Sequence, residues 1–219
     1  METITTDILT QFNSDNIITN QIYKIIKRFN IKTIVETGTF SGVTTKWFAE
    51  NSEKVYTIEI DEPTYNYAID HNFHNNIEFY LGSSEEHLPS ILEKINKDEL
   101  ILFYLDAHSK ECPILKELEI IGNYFKDNCI IIIDDFKVPY RKFQYDCYEN
   151  FDLNYTLIQN SLNHVFTDYN FFYPDTVKTP KVCKPEFEGV GKIYIFPSNL
   201  NISDLYFTDK ENNINYSCF

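Results

Sequence analysis

The sequence predicts an α/β protein: a doubly wound, mostly parallel sheet with helices on both faces and an antiparallel last strand. Three observations lead there. Short β-type runs alternate with longer helical patterns along most of the chain. The fourth and fifth runs, residues 100–106 and 129–134, are almost unbroken apolar stretches, as expected of parallel strands covered on both faces. The intervening segments carry apolar residues at helical spacing.

In chain order, residues 17–29 form a first helix, with Ile18, Ile22, Ile25, Ile26 and Phe29 on one stripe. Strands follow at 32–36, 55–60 and 77–81, separated by helices at 44–51 and 63–72. The helix over 83–95 opens with Ser83 and Glu86 in capping-box spacing and continues through Leu88, Ile91, Leu92 and Ile95. The helix over 113–125 starts at Pro113, a first-turn residue, and aligns Leu115, Leu118, Ile121 and Phe125. From about residue 140 to 185 the pattern turns aromatic and irregular, and a late strand spans 192–196 behind Gly189 and Gly191. A helix–strand pair before that last strand would make it antiparallel. Residues 1–198 read as a single domain, with 1–30 as a helical cap and 199–219 as a weakly ordered polar tail.

Composition narrows the function. The 219 residues carry a net charge of −14, which disfavours nucleic acid and anionic lipid as partners. The longest apolar runs fall far short of the roughly 20 residues that span a bilayer. The first residues lack the basic and apolar regions of a signal peptide. Five cysteines without a CxxC pair suit reduced thiols and a cytoplasmic location.

Two loops carry the chemistry. Glu36-Thr37-Gly38-Thr39-Phe40-Ser41-Gly42 leaves the first strand and opens a helix. Gly38 permits a tight turn and a close backbone approach, and Gly42 lets the helix begin against it. Phe40 stands where a dinucleotide fingerprint has its middle glycine, so a pyrophosphate fits poorly, and the early acid favours a ligand with positive charge. Glu59, at the end of the second strand, lies 21 residues after Gly38, near the spacing at which a carboxylate meets a ribose diol. Here the chain resembles the class I S-adenosylmethionine-dependent methyltransferases, a Rossmann-like fold. Glu36, Gly38 and Gly42 match their first motif and Glu59 their ribose-binding acid. The resemblance implies a cofactor site made of Glu36, Thr37, Gly38, Thr39, Ser41, Gly42, Glu59, Ile60 and Asp106, with Gly82, Ser83 and Ser84 beside the adenine.

The fourth strand ends in Asp106-Ala107-His108 and the fifth in Asp134-Asp135. If these strands are neighbours, as in that superfamily, three carboxylates converge at one sheet edge. Unpaired, they would repel one another, and a divalent cation with oxygen ligands, Mg²⁺ foremost, would resolve the repulsion. Direct substrate binding by Asp106, with Asp134 capping a loop, is the alternative. The constellation resembles metal-dependent O-methyltransferases, the catechol type and more closely the macrocin (macrolide sugar) group, which implies a hydroxyl of a sugar or glycan-like small molecule as acceptor. Asp135 stands where the catechol type has Asn, and Ser109 where it has a lysine base. His108 is therefore the candidate base, or a residue that orients the acceptor; Lys137 and Tyr140 are weaker candidates. Aromatic residues between 136 and 173 could supply a sugar-stacking wall, though most such residues pack in a core. A phenolic diol as acceptor, or a non-catalytic cofactor-binding scaffold, are the competing functions.

Overall fold

The computed structural model describes residues 11–107, 112–174 and 186–205. Its elements in chain order are α1 (Asn16–Arg28), β1 (Thr33–Thr37), α2 (Val43–Asn51), β2 (Lys54–Glu59), α3 (Glu62–His71), β3 (Ile77–Leu81), α4 (Ser84–Lys94), β4 (Ile101–Leu105), α5 (Ile114–Tyr124), β5 (Cys129–Ile133), β6 (Phe143–Gln144), α6 (Tyr155–Val165), β7 (Tyr169–Phe172), β8 (Gly189–Val190) and β9 (Ile193–Pro197). Seven strands form one sheet in the order β3-β2-β1-β4-β5-β9-β7. β1 to β5 pair in parallel, and β9 runs antiparallel to both β5 and β7. The expected helix–strand pair before the last strand is α6 and β7. Both lie inside the stretch whose sequence pattern looked irregular, and α6 is capped by Asn154, whose side chain accepts from Leu157 N at 3.1 Å.

Side chains alternate across the central strands and divide the core into two layers. On one face Phe103, Leu105, Ile131 and Ile133 pack against α4, α5 and α6 through Leu88, Leu92, Leu118, Ile121, Ile158 and Leu162. On the other, Leu102, Tyr104, Ile130 and Ile132 meet Ile18, Ile22, Ile25 and Phe48 of α1 and α2. Every residue of β4 and β5 is buried, which explains their continuous apolar runs. Caps set the helix starts. The Asp15 carboxylate accepts from Ile17 N and Ile18 N at 2.8 and 3.0 Å, and Ser83 Oγ accepts from Glu86 N at 3.3 Å, the capping-box position. Past β9, Ser203–Leu205 forms a 3₁₀ turn, and Leu205 is buried against the second layer.

Candidate active site

The strand order reverses at β1 and β4, and ligands of open parallel sheets bind beyond the strand ends at such a point. The glycine loop lies there. Gly38 N and Thr39 N both donate to Ile58 O, at 2.9 and 3.2 Å, so the loop folds over the end of β2. Gly38 has φ +86°, and a Cβ on it would sit 2.3 Å from the carbonyl oxygen of Asp106. The glycine thus lets the loop touch the end of β4, a contact no side chain would allow. Gly42, with φ +74°, ends the loop, and a Cβ there would lie 2.3 Å from the Asn72 side chain.

The two acids of the motif act on this loop. Glu36 is buried, and its Oε2 accepts from Thr45 Oγ1 at 2.5 Å and Thr57 Oγ1 at 2.7 Å. Thr57 in turn meets Thr39 Oγ1 at 2.6 Å. Burial pushes the Glu36 carboxyl up to about 7, against the pull of the two threonine hydroxyls. Glu59 accepts from Phe40 N at 2.8 Å through one oxygen and from Asp61 N at 2.9 Å through the other. That bond holds Phe40 at φ +49°, with its ring 67% exposed. Each Glu59 oxygen keeps a second lone pair. Beside it Ile60 exposes 57% of its surface, and Gly82 N donates to Glu59 O at 2.9 Å. Thr37 and Ser84 are buried beneath the loop, beside Glu117.

A cleft of about 480 Å³, open solvent at its mouth included, lies against the glycine loop. It is lined by loop residues 38–41 with Val43 and Thr44, by Phe12 and Asn13, and by Tyr104, Asp106 and Asp134. The structure therefore brings Gly38, Thr39, Ser41, Asp106 and Asp134 together. Phe12, Asn13, Thr44 and Tyr104 were not anticipated. Phe12 N donates to Thr44 Oγ1 at 3.3 Å, and the Phe12 ring packs edge-on to Trp47, Phe48 and Tyr104. The only signal was the aromatic residue ahead of α1. Most of the later aromatics pack on one another instead: Phe136 and Phe143 are buried, and Tyr155 stacks on Phe171 at 4.5 Å.

The aspartates differ from the expected open triad. Asp106 N donates to Thr37 O and Asp134 N to Leu105 O, both at 2.9 Å, so strand pairing carries both residues to one edge. Asp134 is only 4% exposed and already has partners. Tyr104 OH donates to its Oδ2; the buried Lys192 ammonium and Asp135 N, the latter at 2.8 Å, donate to its Oδ1. Asp134 is thus the anion of a buried ion pair, and it does not present an open carboxylate to a metal. Among the described residues no group of three His, Cys, Asp or Glu side chains could hold a metal ion. Asp135 follows at φ +46°, its carbonyl accepting from Asp146 N at 2.8 Å. His108, the candidate base, lies outside the described residues.

Residues 35–136, from the first motif through the paired aspartates, match a family model described as a methyltransferase domain. Over that stretch the chain is similar to a methyltransferase domain. The domain's fold is shared with solved structures at low identity. The O-methyltransferase TomG of Streptomyces achromogenes, involved in tomaymycin synthesis and solved with SAM, is 14% identical at a TM-score of 0.58, over 82% of this chain and 79% of that one. An O-methyltransferase from Bacillus cereus, solved with SAH, is 14% identical at a TM-score of 0.55, over 81% and 80%. A precorrin-6y C5,15-methyltransferase from Geobacter metallireducens is 9% identical at 0.52, over 81% and 87%. Such identities establish the fold, which serves carbon as well as oxygen acceptors in these proteins. No curated protein matches the sequence.

Proposed function

We propose that this methyltransferase domain uses S-adenosylmethionine to methylate a hydroxyl oxygen, on a sugar or glycan-like small molecule. The observation that carries the reading is the cleft between the Gly38 loop and Asp106, with Glu59 bonded to that loop through Phe40 N. The TomG and Bacillus cereus O-methyltransferases with SAM or SAH have the same fold. The donor supplies a methyl group already activated on a sulfonium. The remaining lone pairs of Glu59 suit the two ribose hydroxyls. Ile60 offers an exposed apolar face to an adenine, next to Glu59, whose carbonyl accepts from Gly82 N. Asp106 places negative charge where the donor's positive end would lie. The enzyme's remaining tasks are alignment and removal of the acceptor's proton. His108, two residues beyond Asp106, is our candidate for that proton. Free thiols at Cys112, Cys129 and Cys147 fit a cytoplasmic setting.

Metal-assisted activation of the acceptor was the sequence expectation. The residues present do not fit it, because Asp134, one of the three ligands expected, is bound to Lys192 and Tyr104.

The cofactor assignment is tested by Glu59→Ala. Charged-acceptor hydrogen bonds are worth roughly 1.5–3 kcal/mol each, so titration calorimetry should show S-adenosylmethionine bound at least ~10-fold more weakly. Unchanged affinity would remove Glu59 from the site. Incubation with sugars and catechols, read by product mass, then separates the acceptor classes; methylation of catechols alone would overturn the sugar reading.

A further inference from the structure

We propose that Lys192 is a built-in counter-cation that takes the place of a divalent metal at the acidic edge of the cleft, making this site metal-independent. Asp106 and Asp134, at the ends of β4 and β5, both line the cleft, and carboxylates placed together need positive charge to stay ionised. The chain delivers that charge itself. Lys192 is 1% exposed and immediately precedes β9, which runs antiparallel beside β5. Its ammonium donates to Asp134 Oδ1, while Tyr104 OH donates to the other oxygen. Burial disfavours a lone ammonium, and the Asp134 carboxylate beside it offsets that cost. Of the three aspartates expected to bind a metal, Asp134 is the one that Lys192 touches.

The backbone around Lys192 is built for this placement. Phe136 N donates to Gly191 O at 2.8 Å, and Gly191 N donates to Gln144 O at 2.9 Å. A Cβ on Gly191 would lie 2.0 Å from the Phe136 carbonyl oxygen. Only glycine lets the chain pass this close to the exit of β5, and the next residue is then Lys192. A buried ion pair broken on one side leaves an uncompensated charge, so Asp134 cannot readily exchange its lysine for a metal. Lys192 is a positioning residue: it holds Asp134 and Tyr104 in the cleft wall.

The binding arm of the test is independent of the methyl-transfer reading; only the activity arm rests on it. Mn²⁺ is titrated into the full chain and followed by electron paramagnetic resonance. The parent protein should bind no Mn²⁺ that Asp134→Asn removes. Lys192→Ala deletes the internal cation and leaves space beside the carboxylates. Oxygen-ligand affinity follows ligand charge, so this variant should bind Mn²⁺ at least ~10-fold more tightly than the parent, and a second change, Asp134→Asn, should abolish the gain. Lys192→Arg, which keeps the charge, should gain nothing. A folded Lys192→Ala protein without gained binding would overturn the equivalence of lysine and metal. Should that variant fail to fold, the parent and its Asp134→Asn variant still decide: stoichiometric Mn²⁺ binding lost in the latter defeats the proposal. Once an acceptor is known, turnover in a chelator should match turnover in Mg²⁺. Turnover lost in the chelator and restored by Mg²⁺ would overturn metal independence without touching the methyl-transfer reading.

Discussion

Glu36 and Glu117 are buried carboxyls whose titration couples the site to stability. Burial pushes both up to about 7. The Thr45 and Thr57 hydroxyls pull Glu36 back in part. Ser84 and Thr37 lie close enough to lower Glu117, but neither of its oxygens has a hydrogen-bond partner among the described residues, nor has Thr37 Oγ1. From about pH 4.5 to 7 the folded protein keeps protons that the unfolded chain has lost. Stability therefore falls as pH rises through that window and stays at the lower level above it. A shift of this size amounts to on the order of 3 kcal/mol per group. Glu36→Gln keeps an oxygen for both threonine hydroxyls and removes the titration. Its melting temperature should change less between pH 5.5 and 7.5 than that of the parent, and likewise for Glu117→Gln. Parallel profiles for parent and variants would place the dependence elsewhere. Glu78 works in the opposite sense: burial opposes the shift, but hydrogen bonds from Lys94, Tyr80 and Lys54 lower it to about 2, so its contribution is lost only as pH falls below about 4.5.

At the scale of elements, two glycine joins set the site. The β1–α2 loop meets the end of β4 at Gly38, and the β8–β9 join meets the exit of β5 at Gly191. In both the obstructing atom is a backbone carbonyl oxygen, which cannot swing away as a side-chain tip can. Gly38→Ala and Gly191→Ala should each cost about 1–3 kcal/mol in urea unfolding, as overpacking does. The consequences for the site should differ. Gly38→Ala moves the loop that Glu59 holds, and should weaken S-adenosylmethionine binding in calorimetry. Gly191→Ala displaces Lys192, and should leave cofactor affinity closer to the parent's. Equal losses of affinity in both would mean that the two joins act as one. Gly42 is different in kind, because its nearest obstruction is the flexible Asn72 amide.

Across the whole molecule, β4 and β5 supply both core layers, one from alternate residues and the other from those between. Neither layer can lose its strands without exposing the other. Trp47, the single tryptophan, packs edge-on to Phe12 at 5.1 Å and reports on the layer under α1 and α2. Its fluorescence and the far-ultraviolet circular dichroism should therefore unfold together in urea. A fluorescence transition well ahead of the dichroism would show that the segment around Phe12 and its layer open on their own.

Strand runs, helix stripes and caps were legible because they depend on neighbours in sequence: unbroken apolar runs for β4 and β5, period-3.6 burial for α1, and local hydrogen bonding for Ser83. The glycine loop and Glu59 were legible for the same reason, since a strand, a turn and a strand-end acid at that spacing form one local unit. The helix α6 was harder to see, because flanking aromatics obscured the stripe of Ile158, Leu162 and Val165. Other features belong to the tertiary structure alone. Glu59 as the acceptor for Phe40 N, Phe12 over the loop, and the Lys192–Asp134 pair join residues 19, 32 and 58 positions apart. Lys192 shows the limit best. In sequence it is only the first residue of the late apolar run 192–196. Only the antiparallel insertion of β9 beside β5 buries its ammonium against Asp134, and desolvation then makes that one contact decide whether the acidic edge is open to a metal.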